Sequence, residues 1–422
     1  MQSSHPAIIW STWKKLTFRF LFLFLGFFLL NYEMVFLFMV FGEFEMVSKV
    51  YLPVSKPLLW LDKHIYHIGY DPNLHQPLPG DNHFGIVFYI TVFIICLTII
   101  TVWSRIDRHK ANYVHLDYRF RIFIRYMLAL IMFAYGIDKV IPTQMRYPGV
   151  VDLVTPMGDQ NLFSMLWNFV GVSPGYEIFT GFFEVTASLL LIFPRTYIFG
   201  SLLLCTILCN VVALNIFYNI PVILYSFLLL VCVLFLLQPH VNKLIQFFFN
   251  GRSVSLKESE QQPDSIKKNY FLYFFGYGLV FFLFISEIVH VTKIYSKDKV
   301  QIREDKLYDV IYFIQKDTLL PLTTDTIRWK RFILTGNHSA VIFNMQDKPD
   351  FYQYDMDSTK HTISLHDSPD KNSWKIFSYV YPKKEHFEMT GKWKGNVVLI
   401  KMKEIPIDSM YINQEKLMFY QE

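Results

Sequence analysis

The feature that most constrains this chain is a series of long apolar runs. A helix needs about 20 mostly apolar residues to cross the hydrocarbon core of a bilayer, where its backbone polar groups must be bonded within the segment. Runs of that length, or nearly so, occupy Phe20–Val40, Phe84–Trp103, Phe120–Ile137, Tyr176–Phe193, Tyr197–Phe217, Ile220–Leu237 and Tyr270–Ile288. Of the 422 residues, 53% are hydrophobic and 18% charged, a balance foreign to a soluble chain of this length. The first run follows Lys14, Lys15 and Arg19 and is followed by no small-residue cleavage site, so it reads as a retained signal anchor.

The cations set an expected orientation. With the N-terminus inside, cytoplasmic segments collect Lys14, Lys15, Arg19, Arg105, Arg108, Lys110, Arg119, Arg121, Arg125, Arg195 and the cations from Lys243 to Lys268. Outer segments hold Lys49, Lys56, Lys63, Lys139 and Arg146. The bias, about three to one, is that of the positive-inside rule. It also accounts for the formal charge of +5 without a nucleic-acid partner. The lipid bilayer is the partner this pattern requires. The four cysteines all lie in apolar runs, so they say nothing of a disulfide framework.

Past Val300 the period changes to two. Leu307–Gln315, Arg328–Leu334, Ala340–Gln346, His361–His366, Trp374–Tyr381, His386–Thr390 and Asn396–Lys403 alternate in part, with turn signals such as Thr335-Gly336-Asn337 and Lys394-Gly395 between them. The expected fold is an α-helical polytopic membrane bundle of about seven transmembrane helices plus a C-terminal all-β meander, closed as a small barrel or a sandwich. The organisation read from this is two N-terminal transmembrane helices with an extracytoplasmic loop (1–110), a four-helix core (111–250), a cytoplasmic linker (251–268), a seventh helix (269–296) and an extracytoplasmic β-domain (297–422).

Ionisable groups within a bilayer cost about 2.5–3.5 kcal/mol each on insertion scales, so they have a partner or a task. Glu33, Asp138, Glu184 and Glu287 are the acids here, with amides Asn210 and Asn215, and with His290 beside Glu287. All but Glu184 fall in or just past the outer parts of outward-running helices. One reading is a polar pocket open to the outer face, with Glu184 as proton carrier or polar anchor. The blander one pairs Asp138 with its neighbour Lys139 and leaves Glu287 and His290 among lipid headgroups. His64 and His67 in the first outer loop lack a tight third ligand, and no metal is assigned. Asp159–Val172 reads as an amphipathic helix lying on the membrane.

The stretch Arg125-Tyr126-Met127 through Ala134-Tyr135-Gly136-Ile137-Asp138-Lys139 resembles the DoxX-like family of membrane proteins. Gly181-Phe182-Phe183-Glu184, Phe193-Pro194-Arg195-Thr196 and Asn210 to Asn215 carry the resemblance further, over about 120 residues. Longer members of that family read Y-D-x-P-V-K where this chain has Tyr218-Asn219-Ile220-Pro221-Val222-Ile223, without the acid or the lysine. The resemblance implies a bacterial inner-membrane protein linked to quinone-dependent oxidation or to complexes handling redox stress. Glu184 and Asp138 are then the candidate catalytic acids, and Tyr135, Asn210, Asn215 and Glu33 the candidate contacts for a bound quinone. Two function classes stay open: a quinone- or redox-associated subunit, and a non-enzymatic envelope platform whose β-domain binds a lipid, a peptide or a membrane or periplasmic protein.

Overall fold

The computed structural model describes residues 9–40, 44–72, 80–253, 270–302, 305–319, 322–367, 374–410 and 412. The linker expected at Gly251–Lys267 lies outside the described residues from 254 onward, as does His75. The chain divides into two compact units, the first formed by Met1–Gln144 with Gly175–Thr292, the second by Met145–Pro174 with Lys293–Glu422.

The first unit is helical: α1 (Thr12–Val40), α2 (Phe44–Leu61), α3 (His83–Ile106) and α4 (Val114–Val140). Two short helices of the second unit follow, α5 (Val150–Val154) and α6 (Leu162–Gly171). The chain then continues with α7 (Pro174–Ile192), α8 (Tyr197–Phe217), α9 (Ile223–Leu237), α10 (Val241–Asn250) and α11 (Tyr270–Ile302). Among the described residues, six helical stretches are long and apolar enough to cross a membrane: α3, α4, α7, α8, α9 continued through α10, and the Tyr277–Ser296 part of α11. The expected first span is the 29-residue α1, part of which has side chains outside the described residues. Ile124, Leu128 and Ala129 of α4 are fully enclosed, and this helix forms the axis against which α1 and α9 pack.

Side-chain contacts place the helix ends in two groups. Arg19 near the start of α1 donates to Tyr113 Oη (2.5 and 3.0 Å) and to Ser104 Oγ (2.5 Å), joining it to the end of α3 and the start of α4. Arg121 donates to the carbonyl of Phe235 and to Gln238 Oε1, which brings the end of α9 to the same end of the bundle. At the opposite end Asp81 caps α9, accepting from the backbone amides of Ile223 and Leu224. An acid is thus supplied there from another loop, although the local motif lacks one.

The second unit is a meander that closes on itself: β1 (Lys306–Gln315), β2 (Asp317–Thr318), β3 (Trp329–Leu334), β4 (Ser339–Asn344), β5 (Pro349–Asp357), β6 (Thr362–His366), β7 (Lys375–Val380), β8 (His386–Trp393) and β9 (Asn396–Ile405). Every pairing is antiparallel. Strand β1 pairs with both β3 and β9, with β2 folded back on it, so eight strands form a barrel rather than a sandwich. Closure removes the sheet edges. Alternate residues fill the lumen, where Tyr308, Phe313, Trp329, Phe332, Phe377 and Phe387 leave a packed core. The barrel strand β1 bulges between Val310 and Tyr312, and the buried Arg328 donates to the carbonyls of Val310 (3.3 Å), Ile311 (3.2 Å) and Leu319 (2.6 Å) there. Burial lowers the Arg328 pKa from its ordinary value.

On the outer face Leu307, Ile333 and Val341 stand side by side by register and are covered by Val150, Val151 and Val154 of α5. Arg331 adds a hydrogen bond to the Val154 carbonyl at 3.3 Å. The segment holding α5 and α6 therefore packs as part of the barrel unit. Expected as part of the helical core, it joins the barrel because its valines complete a second apolar face.

Candidate functional site

Helix α7 has one buried polar face, made by Glu177, Gly181, Glu184 and Ser188, which recur at helical spacing. That face lies against α4. A Cβ added to Gly181 would sit 2.6 Å from the Gly136 carbonyl and 2.6 Å from Lys139 Cβ, and one added to Gly136 would sit 2.8 Å from the Val185 amide nitrogen. The two glycines thus let the backbones approach as small residues do in membrane helix pairs. Ser188 Oγ donates to the Ala129 carbonyl at 2.9 Å one turn further along.

The close approach seats an ion pair. Lys139 Nζ lies 2.6 Å from Glu184 Oε2, with side chains 9% and 4% exposed. A longer contact of 3.4 Å reaches the Tyr135 carbonyl. The lysine therefore pairs with Glu184 and not with Asp138, its sequence neighbour. Successive helical residues point about 100° apart, so Asp138 faces elsewhere. It accepts from Thr143 Oγ1 at 3.2 Å and lies within electrostatic reach of Lys139, His290 and Glu184. Glu287 of α11 is buried within reach of Asp138, and its Oε2 has no hydrogen-bond partner among the described residues. Phe133 and Phe284 stack at 3.6 Å and hold α11 to α4 beside these acids.

A tyrosine cluster adjoins the pair. Tyr135 Oη lies 3.0 Å from Tyr32 Oη, and the Tyr32 ring stacks on Tyr225 at 4.2 Å. Glu33 follows Tyr32 on α1, with its side chain outside the described residues. Of the amides, Asn215 is buried and ties the α8–α9 turn by donating to Ser226 Oγ at 2.9 Å, whereas Asn210 is exposed on α8. Asn215 is thus a turn brace, and Asn210 stands apart from the cluster. Glu184, Asp138 and Tyr135 are brought together, and Lys139, Thr143, Tyr32 and Glu287 join them.

His64 stacks on Trp60 at 4.8 Å with Nδ1 2.8 Å from the Trp60 carbonyl, while His67 takes a left-handed backbone at the end of the helix. Asp62 organises that loop, accepting from the amides of Ile68, Gly69 and Tyr70 at 2.8–3.0 Å. Among the described residues no group of three or more His, Cys, Asp or Glu is placed to hold a metal ion.

A protein of Bacillus subtilis (strain 168), "Uncharacterized protein YwoB", is 35% identical to this chain over 124 residues, which are 29% of this chain and 79% of that protein. The chain belongs to the YwoB family. No family model and no solved structure matches it. The YwoB match spans less of this chain than either of its two compact units, so it relates a part of this protein to most of YwoB.

Proposed function

We propose that this is a DoxX-like integral protein of a bacterial inner membrane whose buried acid–lysine–tyrosine cluster handles protons for a quinone or another redox partner. The observation that carries the reading is the Lys139–Glu184 pair at 2.6 Å with Asp138 and Glu287 beside it. One ammonium offsets one of three carboxyl groups. Ionising all three would leave two carboxylates beyond the reach of that one ammonium's charge balance in an apolar region, a costly state that a site exchanging protons would avoid. Tyr135, one helical turn before Lys139, and Tyr32, whose hydroxyl lies 3.0 Å from that of Tyr135, supply hydroxyls of the kind that bond a quinone carbonyl. The cytoplasmic N-terminus and periplasmic barrel belong to the same proposal, supported by the sorting of Lys and Arg.

The test is to extract the purified protein with organic solvent and search the extract for quinone by mass spectrometry. Quinone is expected with the native protein and reduced at least about tenfold in Glu184→Gln, the loss that one charge-assisted contact supplies. A quinone-free native protein, or equal loading of the variant, defeats the reading.

A second reading, an envelope platform, is favoured by the outer surface of the barrel. Register sets Ile376, Lys392 and Val397 side by side across β7, β8 and β9, with Ile376 and Val397 60% and 64% exposed. Co-purification of a protein partner that is lost on Ile376→Asp with Val397→Asp supports it.

A further inference from the structure

At the end of the bundle remote from Glu184, a cavity of about 660 Å³ opens between α1, α4 and α9. Its innermost cation is Arg125, 6% exposed. Among the described residues no carboxylate pairs with this guanidinium, and its Nε has no hydrogen-bond partner. Its contacts are the ring faces of Tyr126 and Tyr197, each 5.3 Å away. Arg121, also in the wall, is matched by Asp117 at 2.9 Å, and Lys14 stands exposed at the rim over the Trp10 ring. Three cations thus face one carboxylate in the lining. A desolvated guanidinium without an anion is costly, and its planar fork matches phosphate oxygens.

The rest of the wall is apolar. Phe18, Leu21, Val231 and Leu234 continue the cavity along helices of spanning length, and Leu234 and Trp13 lie open on the flank of the bundle. An anionic head with an attached hydrocarbon chain satisfies both halves. We infer that this cavity is a binding site for an anionic phospholipid, with its phosphate on Arg125, Lys14 at its outer edge and an acyl chain along α1 and α9. Basic pockets between membrane helices take such headgroups, and each cation near the surface adds about 1 kcal/mol of attraction.

The site is independent of the proton-handling cluster, and its test does not involve quinone. The full chain is delipidated in neutral detergent and titrated with phosphatidylglycerol, phosphatidylcholine or inorganic phosphate under native mass spectrometry. Phosphatidylglycerol is expected to bind at least about tenfold more tightly than phosphatidylcholine, and Arg125→Gln to weaken it about tenfold. Lys14→Glu, at an exposed position that leaves the core untouched, weakens it about fivefold or more. Should Arg125→Gln not purify as a folded protein, the lipid ratio and Lys14→Glu decide alone. Equal binding of the two lipids overturns the inference, as does phosphatidylglycerol binding indifferent to Lys14→Glu. Displacement of the lipid by inorganic phosphate at equal concentration also overturns it, since the ligand would then be a free anion.

Discussion

Lys139 and Glu184 lie 2.6 Å apart with almost no solvent around either, and this makes each dependent on the other. Removing one partner of a buried pair strands the other charge, at a cost of about 3–5 kcal/mol, whereas replacing both by apolar groups of similar volume is often neutral. Lys139→Met alone is therefore expected to lower the unfolding temperature in detergent markedly, and Lys139→Met with Glu184→Leu to recover most of the loss. Additive losses would show that the two charges do not share one interaction. Sequence reasoning found Glu184 and missed its partner. An acid within an apolar run is conspicuous, but which lysine reaches it depends on how two helices pack, and adjacency in sequence pointed instead to Asp138. Glu177 was legible in principle, since its spacing to Gly181, Glu184 and Ser188 marks one helical face. In the barrel, Asp357 accepts from Thr359 Oγ1 (2.6 Å), the Thr359 amide (2.9 Å) and the Lys360 amide (3.1 Å). These bonds favour the charged carboxyl and hold its pKa at about 2. A depressed carboxyl stabilises the fold above its unfolded pKa of about 3.9, and that contribution disappears as pH falls through about 2. A carboxyl carbon NMR titration checks the value. The advantage of the native turn over Asp357→Ala should shrink across that window.

The meeting of α4 and α7 depends on two positions without side chains. Alanine at Gly181 would place a carbon 2.6 Å from the Gly136 carbonyl, and that carbonyl belongs to helix backbone that cannot swing aside. Gly181→Ala is expected to part the helices, destabilise the protein by about 1–3 kcal/mol and weaken the Lys139–Glu184 contact with it. The same change at Gly175, where an added carbon meets nothing within 4 Å, is the control and should be silent. Thermal unfolding of both variants in detergent separates them. Among the elements, long apolar helices were plain in the sequence because the bilayer demands their length. Strand β5 was not. It begins at Pro349 and carries Asp350, Asp355 and Asp357, residues depleted from strands, yet Tyr352 and Tyr354 pair across to Ala340 and Leu365 and complete the barrel. Pro349 is tolerated because it is the first residue of the strand. Helix α2 was hidden in the same way by Pro53 and Pro57 within it. The incomplete alternation of β1, β3 and β4 also has a cause, since α5 covers their outer face and makes both faces apolar.

At the scale of the whole molecule, sidedness rests on where the cations gather. Arg19, Arg121 and Arg125 bring the starts of α1, α4 and α8 and the ends of α3 and α9 to one end of the helical unit, through Tyr113, Phe235 and Tyr197. The α4 start also meets α11 through Tyr126 and Tyr277, and Phe133 meets Phe284 further along, so α11 runs parallel to α4. The chain therefore leaves α11 from the end that holds Lys139 and Glu184. Positive charge is retained on the cytoplasmic side during insertion, so the proposed orientation has the Arg19 end inside. A phosphatase fused behind Glu422 is then expected to be active, and a fluorescent protein that matures only in the cytoplasm to stay dark there. Fusion after Lys110, between α3 and α4, should give the reverse. If the fusion behind Glu422 proved cytoplasmic, the acid–lysine cluster would face the cytoplasmic half of the membrane. Its protons would then be exchanged with the cell interior, and the proposed opening of the site toward the periplasm would fail.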